Sequence, residues 1–512
     1  MKMPLVVNQF IDRAERVYPE RIAVIDEPLQ PAESWGSLTW SEVARRARAQ
    51  AAGLDALGIG EGERVAVVSH NSARLLTSFF GVSGSGRVLV PINFRLSAAE
   101  VAYIVEHSGA SMLLVDPELE ESLSHVSAAQ RYVIGAESDA LLYDFDNAPR
   151  GWSEPDEDAT ATINYTSGTT ARPKGVQLTH RNIWINASTF GWQTGVSDRD
   201  VLLHTLPMFH CNGWGMPYAV TGMGGEHIVL RKVDGAEILR RVEAHGVTLL
   251  CGAPAVVSAV LEAAASWDAP IPGNGTTRIV VAGAAPPTRT IERVETELGW
   301  EFIQIYGLTE TSPLLTMNRS RAEYDDLSPS ERAARLGRAG APALGVDMRA
   351  SADGEIQARA NMVMAGYWNQ PEATAEAMED GWFRTGDGGV IDEESYVAIL
   401  DRKKDVIISG GENVSSISVE DALHSHPAVA EVAVIGIPHE KWGETVHALV
   451  VLSSGEEATE AELIAHCKTL LAGFECPTGI EFRDELARTA TGKLQKFKLR
   501  EPYWAGRERQ IN

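Results

Sequence analysis

Short apolar runs alternate with amphipathic stretches along most of this chain. From Glu63 onward the pattern reads Arg64-Val-Ala-Val-Val-Ser69 as a strand, Ser72 to Phe80 as a helix and Val88-Leu-Val-Pro91 as a second strand. Ser97-Ala-Ala-Glu100 has capping-box spacing for a helix to His107, and Ser111-Met-Leu-Leu-Val-Asp116 is a third strand. Gly58-Ile-Gly-Glu-Gly62 precedes a strand rather than following one, so it reads as a helix-to-strand turn and not as a dinucleotide fingerprint. Residues 117–158 are irregular and acidic and read as a connector. The alternation then resumes with strands at 160–165, 200–206, 226–230, 247–251, 277–282 and 301–306. Helices are expected at 179–190, 234–245, 254–265 and 288–298. Such a rhythm predicts an α/β fold with doubly wound, mostly parallel sheets. Residues 318–400 turn to Gly, Asp and short strands, with Gly366-Tyr-Trp-Asn369 and Trp382-Phe-Arg-Thr-Gly-Asp387 standing out. The charged break Asp401-Arg-Lys-Lys-Asp405 suits a hinge. Beyond it a small α+β unit is expected, with strands at 405–409, 430–436 and 446–452 and helices at 416–425 and 458–471.

Three predicted strand ends open into loops suited to a ligand, which in open α/β sheets sits beyond the carboxyl ends of strands. One is Tyr165-Thr-Ser-Gly-Thr-Thr-Ala-Arg-Pro-Lys-Gly-Val176, where backbone N–H groups, hydroxyls and Lys174 form a cradle for phosphate. Lys174 follows a proline and no Gly-Lys-Ser/Thr ending is present, so this is not a Walker loop. The others are Gly283-Ala-Ala-Pro-Pro287 and Tyr306-Gly-Leu-Thr-Glu-Thr311. Tyr306 suits stacking on a base, and Glu310 suits a hard cation such as Mg²⁺. Taken singly, Tyr306 is equally a core residue and Glu310 equally an acid facing a helix dipole; their co-occurrence favours a site.

Composition narrows the function classes. The 512 residues suit about three domains at roughly 150 residues each, and 44% hydrophobic with 22% charged residues is ordinary for a globular protein. A net charge of −25 argues against nucleic-acid or anionic-membrane partners, so a polyanionic ligand must meet local positive charge. Lys493, Lys496, Lys498 and Arg500 form the natural basic run for anionic reactants, with a solvated charged surface as the alternative. Cys211, Cys251, Cys467 and Cys476 lack zinc or disulfide spacing. With no signal-like segment and no apolar run of spanning length, a cytoplasmic protein without integral membrane segments is expected.

Together these stretches resemble the adenylate-forming superfamily of acyl-CoA synthetases, adenylation domains and luciferases. The resemblance spans nearly the whole chain and rests on Tyr165–Val176, Tyr306–Thr311, Trp382–Asp387, Asp401–Asp405, Ser409-Gly-Gly-Glu-Asn413 and Thr489-Ala-Thr-Gly-Lys493, in the family's order. Leu206-Pro-Met-Phe-His-Cys-Asn-Gly-Trp214 looks like the subgroup of short- and medium-chain, aryl and methylthio-acid CoA ligases.

The resemblance implies an N-terminal domain over 1–403, a mobile lid over 404–512 and a hinge at Lys404. It implies Mg²⁺, ATP, a small carboxylic acid and CoA as reactants: an acyl-adenylate forms, pyrophosphate leaves, and a thiol then displaces AMP. Thr166, Ser167, Gly168, Thr169, Thr170 and Lys174 would hold the terminal phosphates. Gly283, Ala284, Ala285, Tyr306 and Gly307 would frame the adenine, and Thr309 would touch the α-phosphate. Glu310, with Thr166, would hold magnesium; Asp387 would take the ribose hydroxyls beside Arg402. Lys493 would bridge carboxylate and α-phosphate. His210, Trp214 and Gly283 would line the acyl pocket, with His210 also near the chemistry, and Gly410, Gly411 and Trp442 would meet CoA. An amine or carrier-protein acceptor remains the alternative to CoA, and a homodimer is left open. Three departures from the family pattern stand out: Ala171 in the phosphate loop, an Asp392-Glu-Glu-Ser-Tyr396 turn without its usual glycine, and an apparently shortened Val346–Ile356 hairpin.

Overall fold

Ser97 begins its helix as its spacing predicts. Its Oγ accepts the Glu100 N–H at 3.4 Å, the Glu100 carboxylate accepts the Ser97 N–H at 2.8 Å, and the helix runs Ala98–Ser108. The computed structural model describes residues 2–143, 152, 156–166, 172–402, 405–409, 412–488 and 494–505, without the side chains of Arg402 and Asn413.

Two sheets with parallel centres carry the large N-terminal part. The seven-stranded sheet has the order Gly366–Tyr367, Lys174–Thr179, Thr160–Thr166, Val88–Ile92, Arg64–Val68, Ala110–Val115, Gln130–Val133. Arg64–Val68 lies between strands that follow it in sequence, so the winding reverses there. The nine-stranded sheet runs Ala341–Pro342, Leu314–Arg319, Glu301–Gly307, Arg278–Val281, Leu249–Gly252, Val201–His204, Glu226–Val229, Ile22–Ile25, Ser37–Thr39, with antiparallel strands only at its edges. Their central strands are buried along nearly their whole length, the signature of a sheet covered on both faces. The expected α/β class is therefore what is found.

An antiparallel sheet follows, built from Val346–Ala350, Glu355–Ala360, Trp382–Ile391, Met378–Glu379 and Val397–Arg402. The hairpin expected to be trimmed still pairs five residues on each side, Val346–Ala350 against Ile356–Ala360. The chain changes sheet between Arg402 and Ile407. The last sheet contains Ile407–Ser409, Glu412–Val414, Val429–His439, Gly443–Leu452 and Gly479–Phe482, packed with helices Ser416–His424 and Glu460–Leu470 around their own apolar core.

Three expectations need correction. The acidic connector contains strand Gln130–Val133, which extends the seven-stranded sheet, and helix Ala136–Leu142. Both are too short and too polar for periodicity to reveal; pairing with Ala110–Val115 supplies what propensity does not. The helix expected over 288–298 is α-helical only at Thr288–Arg293 and widens to a π turn at Val294–Leu298. The basic run is neither solvated nor a landing place for anions at two of its positions. Lys496 Nζ lies 2.8 Å from Glu420 and also donates to Ser416 Oγ, and Arg500 lies 2.7 Å from Asp405. Burial by itself would discharge Lys496, but Glu420 and Asp401 outweigh it and raise its pKa. Removing one partner of such a buried pair costs about 3–5 kcal/mol.

Among the described residues, contacts at Asp401 and Asp421 help to tie the C-terminal unit to the rest. Asp401 accepts from Ser416 N at 3.1 Å at the start of helix Ser416–His424. Asp421 in that helix accepts from Thr288 N at 2.8 Å and Thr288 Oγ1 at 3.0 Å, at the first turn after Gly283–Pro287.

The nine-stranded sheet also buries a histidine pair: His204 Nε2 lies 3.0 Å from His227 Nδ1, and His227 Nε2 lies 3.1 Å from Thr221 Oγ1. Desolvation pushes His204 down to about 3, and burial together with the neighbouring imidazole holds His227 well below its usual value. Below pH 6.5 the unfolded chain takes up protons that this pair refuses, so stability is whole above that pH and lost as pH falls. His227→Gln is therefore expected to flatten the pH dependence of urea unfolding between pH 6.5 and 5 by about 1.4 kcal/mol per unit. Identical slopes would contradict this. The Asp392–Tyr396 turn shows where its usual glycine belongs: Ser395 holds φ at +65°, a left-handed conformation. Ser395→Gly is expected to leave stability unchanged or raise it by up to ~1 kcal/mol in the same urea assay.

Candidate active site

A strand not expected from the sequence lies between the phosphate loop and the helix at 179–190. Strand Lys174–Thr179 returns antiparallel to Thr160–Thr166, with Lys174 opposite Thr166, and only then does helix His180–Thr194 begin. Thr166 and Lys174 are therefore neighbours across the mouth of the hairpin. Ser167, Gly168, Thr169, Thr170 and Ala171 lie outside the described residues. Sequence periodicity hides the return strand because Pro173-Lys-Gly reads as turn and the strand itself is short.

Gly366–Tyr367 adds to that hairpin as a further strand, with Tyr367 opposite Val176 and Trp368 N donating to Gly175 O at 2.7 Å. The Tyr367 hydroxyl donates to Glu310 Oε1 at 2.9 Å, and Lys174 Nζ lies 4.7 Å from the centre of the Tyr367 ring. Burial and the Glu310 charge both raise the Tyr367 pKa, so the phenol keeps its proton. Met364 N donates to Glu310 O at 2.8 Å. Glu310, in the turn Thr309–Thr311 after strand Glu301–Gly307, is thus joined to the other sheet by backbone and side chain.

Tyr306, at the end of the same strand, donates its hydroxyl to Asp387 Oδ2 at 2.8 Å. Asp387 is buried at 6% exposure and stands opposite Arg402 across the antiparallel sheet. A tyrosine expected to frame a base therefore also orients the carboxylate expected to take the ribose. Gly307 permits this strand end: a Cβ there would fall 1.5 Å from Pro313 O, a separation no side chain tolerates. Gly283, Ala284 and Ala285 form an exposed loop at the end of strand Arg278–Val281, with Gly283 at φ +95°.

His210 opens a short turn, His210–Gly215, in which Cys211, Asn212, Gly213 and Trp214 are all left-handed, with φ from +45° to +59°. For residues with a Cβ this costs about 1–2 kcal/mol each, so surrounding contacts must impose it. Asn164 Nδ2 donates to Asn212 Oδ1 at 3.0 Å, Asn212 Nδ2 to Thr162 Oγ1 at 3.0 Å, and Asn186 Nδ2 to Trp214 O at 3.2 Å. Asn71 accepts from Met208 N at 2.8 Å just before the turn. Trp214 is buried in the main core, and His210 is half-buried. Cys211 Sγ approaches Thr309 O at 3.9 Å, which brings this turn against the Thr309–Glu310 loop.

The structure thus brings together Thr166, Lys174, Glu310, Thr309, Tyr306, Asp387 and the His210 turn. Trp442 stands apart on the strand pair Val429–His439 and Gly443–Leu452, stacked on His439 at 4.3 Å and 39% exposed. Lys493, Lys404, Gly410, Gly411 and the Arg402 side chain lie outside the described residues. Gly366-Tyr-Trp-Asn369 stands out in the sequence, but only cross-strand pairing places Tyr367 against Glu310. Among the described residues no helix is long and apolar enough to cross a membrane.

Comparison with known proteins gives the family. Residues 11–368 match the AMP-binding enzyme family and residues 418–493 its C-terminal domain. The chain is 36% identical to a 2-methylpropanoate–CoA ligase of Humulus lupulus, over 97% of this chain and 95% of that one. It is 34% identical to a peroxisomal trans-cinnamate:CoA ligase of Petunia hybrida, over 98% and 94%. The o-succinylbenzoate CoA synthetase of Bacillus subtilis, solved with its acyl-adenylate intermediate, superposes with a TM-score of 0.80 at 29% identity, covering 97% of this chain and 98% of that one. The chain belongs to the AMP-binding enzymes.

Because Gly307 abuts Pro313, Gly307→Ala must displace the Tyr306–Glu310 segment. A loss of about 1–3 kcal/mol or more is expected in urea unfolding, together with loss of ATP binding by calorimetry. A variant matching the parent in both would show that this close approach does not exist.

Proposed function

We propose that the chain is an AMP-forming acid–CoA ligase that activates a short, medium-chain or aryl carboxylic acid through an acyl-adenylate. The observation that carries this reading is the meeting of two sheets' strand ends: Thr166 and Lys174 from one, and Tyr306, Thr309 and Glu310 from the other, beside Asp387. The relatives' own acids, 2-methylpropanoate and trans-cinnamate, are small or flat. The buried Trp214 within the His210–Gly215 turn takes up volume a long chain would need.

In the first step the substrate carboxylate attacks the α-phosphate of ATP and pyrophosphate leaves. Lys174 and the hairpin loop hold the terminal phosphates, Thr309 stands at the α-phosphate, and Asp387, held by Tyr306, takes the ribose hydroxyls. Glu310 fits a magnesium ion, because Mg²⁺ is held by one or two carboxylates together with substrate phosphate oxygens, and Glu310 is a carboxylate oriented by Tyr367 next to Lys174. Bound there, the ion would supply charge neutralisation for the phosphates, with Thr166 nearby. Two anions must approach in this step, so a cation has to bridge them; Lys493 is the residue for it. In the second step the unit from 404 onward acts as a lid that turns at Lys404 and replaces Lys493 with a thiol channel past Gly410 and Gly411, with Trp442 at its mouth. The Asp421–Thr288 contact would have to break in that turn.

Pyrophosphate exchange across C2–C8, aryl, methylthio and C16 acids tests the reading: small or aryl acids are expected to exchange and palmitate not to. Adding CoA, an amine or a carrier protein to preformed adenylate identifies the acceptor, and AMP release that ignores CoA would sink the ligase reading. Lys493→Ala is expected to slow adenylate formation about 100-fold or more while sparing thioester formation from supplied adenylate. Equal losses in both half-reactions would refute that division of labour.

A further inference from the structure

Tyr367 touches both charged groups that the two sheets contribute to the nucleotide site. Its backbone is fixed by the hairpin: it pairs with Val176, its N–H donates to Thr374 Oγ1 at 2.9 Å, and the next N–H donates to Gly175 O. The ring is therefore held rigidly beside Lys174, two residues along the neighbouring strand. Glu310 and Lys174 sit on flexible stems and carry opposite charge. Both contact one aromatic side chain, and an ion pair between them is the arrangement with which these contacts compete. Such a pair would neutralise both before a polyphosphate arrives.

We propose that Tyr367 is the positioning residue of the nucleotide site, its hydroxyl setting the Glu310 carboxylate and its ring face seating the Lys174 ammonium. This rests on the function proposed above, in which Glu310 serves a magnesium ion and Lys174 the terminal phosphates. The two contacts divide the work. The hydroxyl donates to one carboxylate oxygen and fixes the direction of the other toward an incoming cation. The ring face attracts the ammonium without offering an anion that phosphate would have to displace. Lys174 thus stays near its working position and remains available to phosphate.

Two substitutions separate these roles. Tyr367→Phe keeps the ring and removes the hydroxyl. It is expected to leave the ATP affinity at saturating Mg²⁺ within about threefold of the parent. Half-saturating Mg²⁺ should rise and kcat for pyrophosphate exchange should fall by about tenfold each. Tyr367→Leu removes both contacts and should weaken ATP binding, read by calorimetry without acid substrate, by about a further tenfold. Glu310→Gln combined with Tyr367→Phe should shift the Mg²⁺ dependence no more than Glu310→Gln alone, since one acts through the other. Tyr367→Phe with parental Mg²⁺ dependence overturns the proposal. So does a loss that follows a lowered melting temperature while the Mg²⁺ dependence is unchanged. If the parent binds Mg²⁺–ATP but shows no carboxylate-dependent exchange, the ligase reading falls and calorimetry on Tyr367→Phe still decides this one. If the parent binds no Mg²⁺–ATP, both fall.

Discussion

Two sheets that wind independently must present their strand ends to the same small volume, and everything else in this chain depends on that joint. Apolar burial cannot set it to a fraction of an ångström, because the hydrophobic effect is non-directional. Short polar contacts do: Asn164 to Asn212, Met364 N to Glu310 O and Tyr367 to Glu310, while Tyr306 to Asp387 ties in the antiparallel sheet. Hydrogen bonds to a charged group are worth about 1.5–3 kcal/mol each, enough to hold a side chain in one geometry. The left-handed turn at Cys211–Trp214 belongs to the same joint. Its strain is opposed by buried amides whose groups would otherwise lack partners.

Charge is handled by placement rather than by composition. A chain of net charge −25 repels polyanions at long range, so each cation near the reactants must have a defined position. Lys174 is seated on an aromatic face, while Lys496 and Arg500 are committed to Glu420 and Asp405 inside the C-terminal unit. The latter two are spent on partners within the unit whose sequence carries Lys493. The same unit reaches the large one through Asp401 at one helix start and Asp421 at another, the second immediately after the Gly283–Pro287 loop.

Much of the fold is legible because strong local signals agree with it. Ser97 and Glu100 set a helix start, the runs at Arg64, Val88 and Ala110 are apolar enough for strands covered on both faces, and Gly58 marks a turn. The weak elements fail for a physical reason. Gln130–Val133 is half-buried and polar, and Lys174–Thr179 follows a turn; each is a strand only because a neighbour offers hydrogen bonds. Among candidate site residues, Thr166, Lys174, Tyr306, Glu310 and Asp387 are recognisable from motif and chemistry. Tyr367 is not, since nothing local distinguishes a tyrosine that reaches a carboxylate 57 positions away.

The α/β class and the turn to Gly, Asp and short strands over 318–400 are local properties, readable from periodicity and composition, while candidate phosphate, base and ribose groups came from motif and resemblance. Only the folded chain shows that the strands flanking the phosphate loop pair antiparallel, that Tyr306 donates to Asp387, and that Tyr367 contacts both Lys174 and Glu310. These are pairings between segments far apart in the chain, made by strand register and side-chain reach, and neither quantity exists until the sheets have formed.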